Sequence, residues 1–376
     1  MQLLQQSGGQ VLLQGLSLAV RCSSSDVALR KYLTISEMLF VLSDYVGDCG
    51  EEGVLHRTRR DLFTSQLARK HLVPFFQLLD ICGLKLAGTL TSSSNPGSQQ
   101  CIIMCHGYQS YREGFQLPAL AAALAEAGAF TLQYCSKGLC SSSVLRGVRA
   151  QGPKHAVKTT DPHLLLLAGY NSFRFDFSGN GDSEGAFRFA NYWGEVAEIH
   201  AAKQHLQQHE GQAVIGLLGH SKAGGEVVLY ASSYDDIPLV VNVAGRFWMD
   251  RGVTMRFGED VFERAAAAPV EMPAQRDDGH TFTWLLTKED LDERMNLDMA
   301  AAAAGIKRSK VLTIHGTADS VIPIDDGRQM AESIAGSSLV EVEGADHNFR
   351  ASEQVLQQLI AAVLGFLQEG KAEGWV

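Results

Sequence analysis

From residue 78 onwards, the pattern of apolar and polar positions predicts short buried strands alternating with helices. The predicted strands are a pair over residues 78–90 with its turn at Gly83, then 101–105, 171–177, 213–219, 239–244, 311–314 and 338–342. The segments with helical spacing are 119–127, 192–208, 226–230, 326–335 and 353–368. Continuous apolar runs of this length are typical of strands buried on both faces. The pattern therefore predicts a mostly parallel central sheet with helices on both faces.

Two segments outside this alternation define the expected domain organisation. Residues 1–75 show no consistent period, and we expect a poorly ordered extension or a small helical unit. Residues 76–370 then form one α/β domain. Within it, residues 246–308 break the alternation, and the Thr287-Lys-Glu-Asp290 stretch resembles a capping box that opens a helix. We expect residues 246–308 to form a helical cap over the sheet.

A 41-residue interruption over residues 129–169 separates a helix that ends at Gly128 from the strand that begins at 171. Connections of this kind usually have about 2–6 residues. The segment is a mobile lid, a disordered insertion, or intervening sequence that a gene model failed to remove. The third explanation is supported by the normal helix–loop–strand unit that results when Gly128 is joined directly to Tyr170.

Composition and charge narrow the class of protein. The chain has 376 residues, of which 45% are hydrophobic, enough for a sizeable core. Its formal net charge of −10 argues against a nucleic acid or an anionic membrane surface as partner. All seven cysteines precede residue 141, and an odd number indicates neither a disulfide framework nor a zinc site. No apolar run has the length of a membrane-spanning helix.

These features favour a reducing compartment, and we expect the cytoplasm. A plastid or another organelle is the alternative, because residues 21–31 combine basic and serine residues as transit peptides do.

Neither a cofactor nor a metal is expected. The glycine-rich loop over residues 176–185 has the wrong spacing for a dinucleotide, and its acidic side chains would face a pyrophosphate. His200, His205 and His209 lie on one predicted helix at spacings that do not share a face.

The stretch with the clearest chemical pattern runs from the apolar strand at 213–219 into Gly-His-Ser-Lys-Ala-Gly-Gly, with Ser221 at its centre. A sharp turn between a strand and a helix exposes a serine hydroxyl, which is the geometry of a nucleophile elbow. Taken alone, this pattern is more often an ordinary turn between strand and helix. Its interpretation therefore depends on partners elsewhere in the chain.

A serine nucleophile needs a base in hydrogen-bond reach and a carboxylate that orients the base. Asp319 and His347 follow later predicted strands, and parallel sheets gather such groups at the carboxyl ends of their strands. The order Ser221, Asp319, His347 is that of the α/β-hydrolases. Asp346 and His315 are the alternatives to the carboxylate and the base. We predict Ser221, Asp319 and His347 as a catalytic triad.

An oxyanion hole needs two N–H donors where negative charge develops. One is predicted at the backbone N–H of Lys222, which follows the nucleophile. The other is predicted at the backbone N–H of Tyr108, in the loop after the strand at 101–105. His106 is expected to shape that loop rather than to act as a base.

Seven stretches carry a family resemblance: CHGY, FRFDFSGNGDSEG, NYWGE, GHSKAGGEVVLYAS, VVNVAGRF, VLTIHGTADSVIP and EGADHNF. They resemble the α/β-hydrolase superfamily, and within it the serine-aminopeptidase-like and esterase-lipase-like group of plants and algae, related to feruloyl and cinnamoyl esterases. The resemblance covers roughly residues 77–128 and 170–370. It implies the α/β-hydrolase fold, the triad, a helical cap and the hydrolysis of carboxylic esters. Ala223 stands where that group usually has glycine, and residues 129–169 have no counterpart.

The predicted function is that of a serine hydrolase acting on an ester of a small or lipid-like molecule. The alternatives are a peptidase or acyltransferase with the same triad, or a non-catalytic ligand-binding protein with this fold. A serine at the elbow excludes a dehalogenase or an epoxide hydrolase, which need a carboxylate there. Trp248, Phe282 and Trp284 are candidates for the lining of an apolar pocket in the cap.

Overall fold

The computed structural model of the protein describes residues 75–81, 83–95, 97–126, 149–150, 169–276 and 279–376. The extension predicted over residues 1–75 lies outside these ranges except for Phe75. The interruption predicted over residues 129–169 also lies outside them, apart from Arg149, Ala150 and Gly169.

A nine-stranded sheet forms the centre of the described structure. The strands of the protein are β1 (Phe75–Ile81), β2 (Leu84–Thr91), β3 (Gln100–Cys105), β4 (Arg149–Ala150), β5 (Asn171–Phe175), β6 (Ala213–His220), β7 (Leu239–Val243), β8 (Val270–Gln275), β9 (Thr281–Leu286), β10 (Lys310–Gly316) and β11 (Ser338–Val342). The order across the large sheet is β1-β2-β5-β3-β6-β7-β10-β11-β4. Every neighbouring pair from β5 to β11 is parallel, whereas β1, β2 and β4 pair antiparallel with their neighbours. The prediction of a mostly parallel sheet is confirmed.

Helices cover both faces of this sheet. They are α1 (Leu117–Ala125), α2 (Tyr192–His209), α3 (Lys222–Tyr234), α4 (Val253–Phe257), α5 (Val261–Ala267), α6 (Lys288–Met295), α7 (Met299–Gly305), α8 (Ile324–Ser333) and α9 (Glu353–Ala372). Leu217 on β6 packs with apolar residues of α2, α3, α7 and α8, whereas its neighbour Leu218 packs with those of α1 and α9. Successive strand residues point to opposite faces, so strands buried on both sides appear in the sequence as continuous apolar runs.

Residues 246–308 contain more than the helices that the sequence predicts. Helices α4, α5 and α6 are accompanied by an antiparallel hairpin of β8 and β9, in which Val270 pairs with Leu286. Pro273 lies within β8 and argues against a strand in a reading of the sequence alone. The predicted capping box is present, because the Thr287 side chain accepts the Asp290 N–H at 3.1 Å. At the end of the segment, α7 packs against α3 and α8 in the main core rather than with the hairpin.

Among the helices that the structure describes, none combines the length and the apolar character that crossing a membrane requires.

The junction between β2 and β5 requires a glycine. Gly88 lies opposite Phe175 in the antiparallel pair, and the ring of Phe173 is fully buried beside it. A Cβ at position 88 would lie 2.3 Å from Cζ of Phe173, well inside van der Waals contact. The missing side chain therefore makes room for the Phe173 ring.

We expect Gly88→Ala to lower the free energy of unfolding by about 1–3 kcal/mol, because a methyl group is forced into a filled core. In a Phe173→Leu background the same substitution should cost less, since the clashing ring atoms are gone. Chemical denaturation of the two single variants and the double variant measures this coupling. Gly365→Ala on α9 is the control, because a Cβ there meets no atom within 4 Å. Equal costs of Gly88→Ala in both backgrounds would contradict the steric explanation.

Candidate active site

Ser221 lies at the turn between β6 and α3 with a backbone conformation that L-residues rarely adopt. Its φ is +58° and its ψ is −114°. Such a conformation costs on the order of 1–3 kcal/mol and persists only where the surrounding structure enforces it. The Ser221 N–H donates to the Val243 carbonyl at 2.9 Å, and a Cβ on Gly219 would lie 2.0 Å from the Ala223 oxygen. The turn is therefore held by a hydrogen bond to the neighbouring strand. It needs a glycine at position 219 because helix and strand approach too closely there for a side chain.

A second glycine brings the loop after β3 against the same serine. A Cβ at Gly107 would lie 2.9 Å from the Ser221 Cβ and 3.0 Å from the His220 oxygen. Any larger residue at position 107 would push this loop away from Ser221. The loop is the one in which the sequence predicts the second oxyanion donor.

The structure brings Ser221, His347 and Asp319 together in one hydrogen-bonded chain. His347 Nε2 lies 2.9 Å from Ser221 Oγ, and His347 Nδ1 lies 2.7 Å from Asp319 Oδ2. The other oxygen of Asp319 accepts the N–H groups of Val321 and Ile322, each at 2.8 Å. The carboxylate is thus held on one side by the loop after β10 and on the other by the imidazole. This arrangement has the connectivity of a serine hydrolase triad.

Asp319 is charged in this environment. Burial alone would raise the pKa of its carboxyl, but hydrogen bonds from His315 and His347 hold that pKa below its usual range. A charged Asp319 favours the tautomer of His347 with its proton on Nδ1, which leaves Nε2 free to accept from Ser221.

The two alternatives to the triad residues have other partners. His315 is fully buried, with Nε2 2.8 Å from the Ile322 oxygen and 3.4 Å from Asp319 Oδ2. The Asp346 carboxylate accepts the N–H groups of Arg350 at 2.7 Å and of Ala351 at 3.2 Å, so it holds its own loop. Within the described ranges, the imidazole that meets the Ser221 hydroxyl is that of His347.

The two predicted oxyanion donors flank Ser221. Lys222 is the first residue of α3, and the N–H groups of a first helical turn have no acceptor inside the helix. The helix dipole adds positive potential at this end. Tyr108 follows Gly107 in the turn closed by the Ser110 N–H and the Gly107 carbonyl at 3.3 Å. Neither N–H donates to another backbone group in the part of the chain that the structure describes.

His106 shapes this loop, as the sequence suggests. Its Nδ1 is 2.9 Å from the Gly107 carbonyl, and its Nε2 accepts the Phe177 N–H at 3.1 Å. This pattern assigns the proton of the neutral ring to Nδ1. Burial lowers the pKa of His106, which is consistent with a neutral imidazole.

His220 is a contact of the site that the sequence analysis missed. Its Nε2 donates to the His347 carbonyl at 2.9 Å, and its ring stacks on Phe115 with centroids 3.7 Å apart and planes 3° apart. Burial, together with the neighbouring His347, lowers the pKa of His220 well below its usual value. A neutral His220 therefore holds the backbone of His347, and the position of His220 next to Ser221 was the signal available in the sequence.

A buried group of ionisable side chains lies behind the elbow. Lys222 Nζ is 2.7 Å from Glu195 Oε1 and 3.6 Å from Glu226 Oε1. Glu226 is 0% exposed, and burial followed by the charge of Glu195 raises its pKa well above its usual value. Burial also raises the pKa of Glu198, whose carboxylate accepts the Ser178 N–H, to about 7. Glu195 and Glu226 thus lie beside the same ammonium, and Glu226 is the neutral one of this pair.

An aromatic cluster joins the predicted oxyanion loop to the cap. The Tyr108 ring has edge contacts with Phe187, Phe189 and Trp284 at centroid distances of 5.5, 5.7 and 6.3 Å. Of the three predicted pocket residues, Trp284 belongs to this cluster, and Phe282 joins it 5.6 Å from Phe187. The third, Trp248, instead lies beneath the Arg251 guanidinium at 3.7 Å.

The histidine, cysteine and acidic side chains that the structure describes form no group suited to holding a metal ion.

We expect His220→Phe to slow the reaction of Ser221 with a fluorophosphonate by about ten-fold, because the stack on Phe115 is kept while the donor to His347 is lost. His220→Gln, which retains an N–H donor, should recover part of the rate. Timed labelling followed by mass spectrometry measures both rates, and thermal unfolding checks that the variants are folded. Equal rates in the two variants would show that the hydrogen bond does not position His347.

We expect Glu226→Gln to stabilise the protein increasingly as the pH rises. In the unfolded chain Glu226 ionises near pH 4.5, whereas the folded protein keeps it protonated to a higher pH, so the wild type loses stability as the pH rises between the two pKa values. Glutamine removes this loss. The measurement is the free energy of unfolding of both proteins from pH 5 to pH 8, with the exposed Glu343→Gln as control. A gain that shrinks with rising pH would mean that Glu226 is ionised and paired with Lys222.

Comparisons with known proteins agree with this architecture. The family model described as TAP-like protein (Abhydrolase_4) matches residues 291–374, which include Asp319 and His347. No curated protein sequence matches the chain.

Several solved structures are similar to this one. Est1E from Butyrivibrio proteoclasticus, solved with ferulic acid bound, is 18% identical with a TM-score of 0.53, covering 79% of this chain and 99% of that chain. The α/β hydrolase GrgF from Penicillium sp. sh18 is 14% identical with a TM-score of 0.55, covering 79% and 99%. A monoacylglycerol lipase from Paleococcus ferrophilus is 17% identical with a TM-score of 0.51, covering 75% and 98%. At identities this low, structural similarity is evidence for the fold alone. These matches show that the chain has the α/β-hydrolase fold.

Proposed function

We propose that the protein is a serine hydrolase that cleaves carboxylic esters of a small or lipid-like substrate. The observation that carries this proposal is the hydrogen-bonded chain from Ser221 through His347 to Asp319, with distances of 2.9 and 2.7 Å. A serine hydroxyl is a weak nucleophile at neutral pH. In this arrangement His347 is the base that the serine needs, and Asp319 is the carboxylate that orients the base. The positive φ of Ser221 lifts its hydroxyl out of the strand towards an approaching substrate.

In the first half of the reaction, Ser221 Oγ forms a bond to the ester carbonyl carbon while His347 Nε2 takes the hydroxyl proton. The carbonyl oxygen becomes an oxyanion, which accepts hydrogen bonds from the N–H groups of Tyr108 and Lys222. Asp319 stabilises the imidazolium without taking its proton. When the tetrahedral intermediate collapses, the bond to the alcohol breaks and His347 gives its proton to the leaving alkoxide.

In the second half, water replaces the alcohol. His347 removes a proton from a water molecule as the water oxygen attacks the acyl carbon, and the same two N–H groups bind the second oxyanion. Collapse releases the carboxylic acid, and the proton on His347 returns to Ser221 Oγ. Neither half requires a cofactor or a metal ion.

The similar structures support this class of substrate in general terms. One of them was solved with ferulic acid bound, and another is named as a monoacylglycerol lipase. The sequence motifs favour a place in the serine-aminopeptidase-like and esterase-lipase-like group of plants and algae. A peptidase or an acyltransferase would use the same three residues, and substrate comparison separates them from an esterase.

We expect a fluorophosphonate to label Ser221 in the folded protein and to leave Ser221→Ala unlabelled, because only an activated serine reacts at a useful rate. Ser233→Ala, on the exposed side of α3, is the matched control that should be labelled like the wild type. Mass spectrometry of the digested protein identifies the labelled residue. A folded protein in which Ser221 stays unmodified would refute the proposed function.

We expect Asp319→Asn to lower kcat for 4-nitrophenyl butyrate by about 10⁴-fold, since the amide favours the wrong tautomer of His347.

The rate of ester hydrolysis should exceed the rate of hydrolysis of the anilide with the same acyl group, and it should exceed the rate of acyl transfer to added alcohol. A faster reaction with the anilide would favour a peptidase, and preferential transfer to the alcohol would favour an acyltransferase.

A further inference from the structure

Three arginines on the cap side of the site have no acidic partner among the described residues; Arg294 is buried, Arg246 is half-buried and Arg256 is exposed. Arg246 lies three residues beyond β7, Arg256 lies on α4 and Arg294 lies on α6. None of them forms an ion pair with a carboxylate in the ranges that the structure describes, whereas Arg112 and Arg174 both do. The whole chain carries a net charge of −10, so acidic groups are not scarce. A buried arginine such as Arg294 is costly without a counter-charge unless something else supplies the negative charge.

The Arg256 guanidinium lies over the Tyr108 ring and that of Arg294 over the Phe189 ring, and the centroids of these two rings are 5.7 Å apart. Burial lowers the pKa of Arg246, and the positive charges of Arg294 and Arg256 lower it further. Asp326 opposes this effect at longer range, but its Oδ1 accepts the backbone N–H groups of Phe247 and Trp248. Asp326 is therefore hydrogen-bonded to the backbone, and in the described part of the chain it forms no ion pair with Arg246.

Two buried hydrogen-bond donors in the same region also lack acceptors among the residues that the structure describes. Arg294 is 8% exposed, and its Nη atoms donate to the Tyr192 hydroxyl and the Arg251 carbonyl while its Nε has no partner. Trp284 is 5% exposed, and its indole Nε1 has no partner either. Both side chains lie against the ring of Phe189, at 5.3 and 6.2 Å. Buried donors without acceptors are rare in folded proteins, and a bound ligand is one way to satisfy them.

Two of these arginines contact the loops that form the proposed catalytic site. The Arg256 guanidinium lies 4.8 Å from the ring centroid of Tyr108, and the Tyr108 N–H is a proposed oxyanion donor. Arg246 Nη2 donates at 2.8 Å to the carbonyl of Val321, whose own N–H holds Asp319. A molecule bound among these arginines would therefore lie beside the loops that carry Tyr108 and Asp319.

We propose that the ester substrate carries a carboxylate, and that Arg246, Arg256 and Arg294 bind it between the cap and the oxyanion loop. The inference rests on the proposed function for the identity of the reaction. A planar carboxylate matches the paired N–H donors of a guanidinium, and the region offers donors without acceptors. The aromatic rings of Tyr108, Phe189 and Trp284 then contact the apolar part of the same substrate.

The test compares two esters of equal size that differ in charge. One is the 4-nitrophenyl monoester of glutaric acid, with a free carboxylate, and the other has a primary amide in its place. We expect kcat/KM to be at least about ten-fold higher for the carboxylate, because one charge-assisted hydrogen bond is worth that much. The preference should fall as salt is added, since screening weakens partly exposed charges.

Variants assign this preference to the cluster. Arg256→Gln and Arg246→Gln should each lower the ratio of the two kcat/KM values by about ten-fold, and Arg256→Lys should restore part of it. Arg328→Gln is the control, because Arg328 is half-exposed and pairs with Glu341 at 2.7 Å on another part of the surface. A ratio near one in the wild type, or an equal loss in Arg328→Gln, would overturn the inference.

A binding measurement separates this inference from the proposed function. Calorimetry with Ser221→Ala should detect binding of glutarate, weaker binding of neutral glutaramide, and loss of glutarate binding when Arg256→Gln is added. Glutarate binding to a protein whose Ser221 is never labelled would refute the hydrolase and retain the anion site. Ester hydrolysis without a carboxylate preference or glutarate binding would refute the anion site alone. Tighter binding of phenyl phosphate than of glutarate would overturn the choice of a carboxylate.

Discussion

The left-handed backbone of Ser221 is the constraint on which the candidate site depends. A serine at φ +58° is unfavourable by itself, so its neighbours must hold it. They do so through the hydrogen bond to Val243 on the adjacent strand and through Gly219 and Gly107, whose missing side chains let a helix and a loop come close. The same close packing sets the Ser221 hydroxyl against His347 and the Gly107 loop against Ser221. One strained turn therefore positions both the proposed nucleophile and the loop proposed to bind the oxyanion.

Two groups of ionisable side chains lie on either side of this turn. Acidic residues are in excess in one group, and arginines are in excess in the other. Behind α3, the carboxyl groups of Glu195, Glu198 and Glu226 outnumber the ammonium of Lys222, and burial keeps Glu226 protonated. On the cap side, arginines lie near Tyr108 without acidic partners in the described ranges. The acidic group anchors the side chain of Lys222, and the backbone N–H of Lys222 is a proposed oxyanion donor. The second is the region that we propose for an anionic part of the substrate.

Periodicity predicted the central sheet well because its strands are buried on both faces and appear as continuous apolar runs. The sequence analysis missed the hairpin of β8 and β9, whose strands alternate between exposed and more buried positions, because each strand has only six residues and Pro273 argues against the first. It also placed α7 in the cap, although the burial of Met299 depends on the packing of α7 against α3 and α8, which no local pattern records. Local pattern thus identifies elements with a strong burial signal and misses those whose burial depends on distant partners.

The sequence by itself determined the fold class and the order of Ser221, Asp319 and His347, because strand–turn–helix grammar and chain order are local properties. Only the tertiary structure decided that His347 rather than His315 meets the Ser221 hydroxyl, since both follow or end strands and the difference is one of direction in space. It alone also revealed the hydrogen bond from His220 to the His347 carbonyl and the contact between Arg256 and the Tyr108 ring. These contacts join residues far apart in the chain, and side-chain direction at such distances follows from packing of the whole domain.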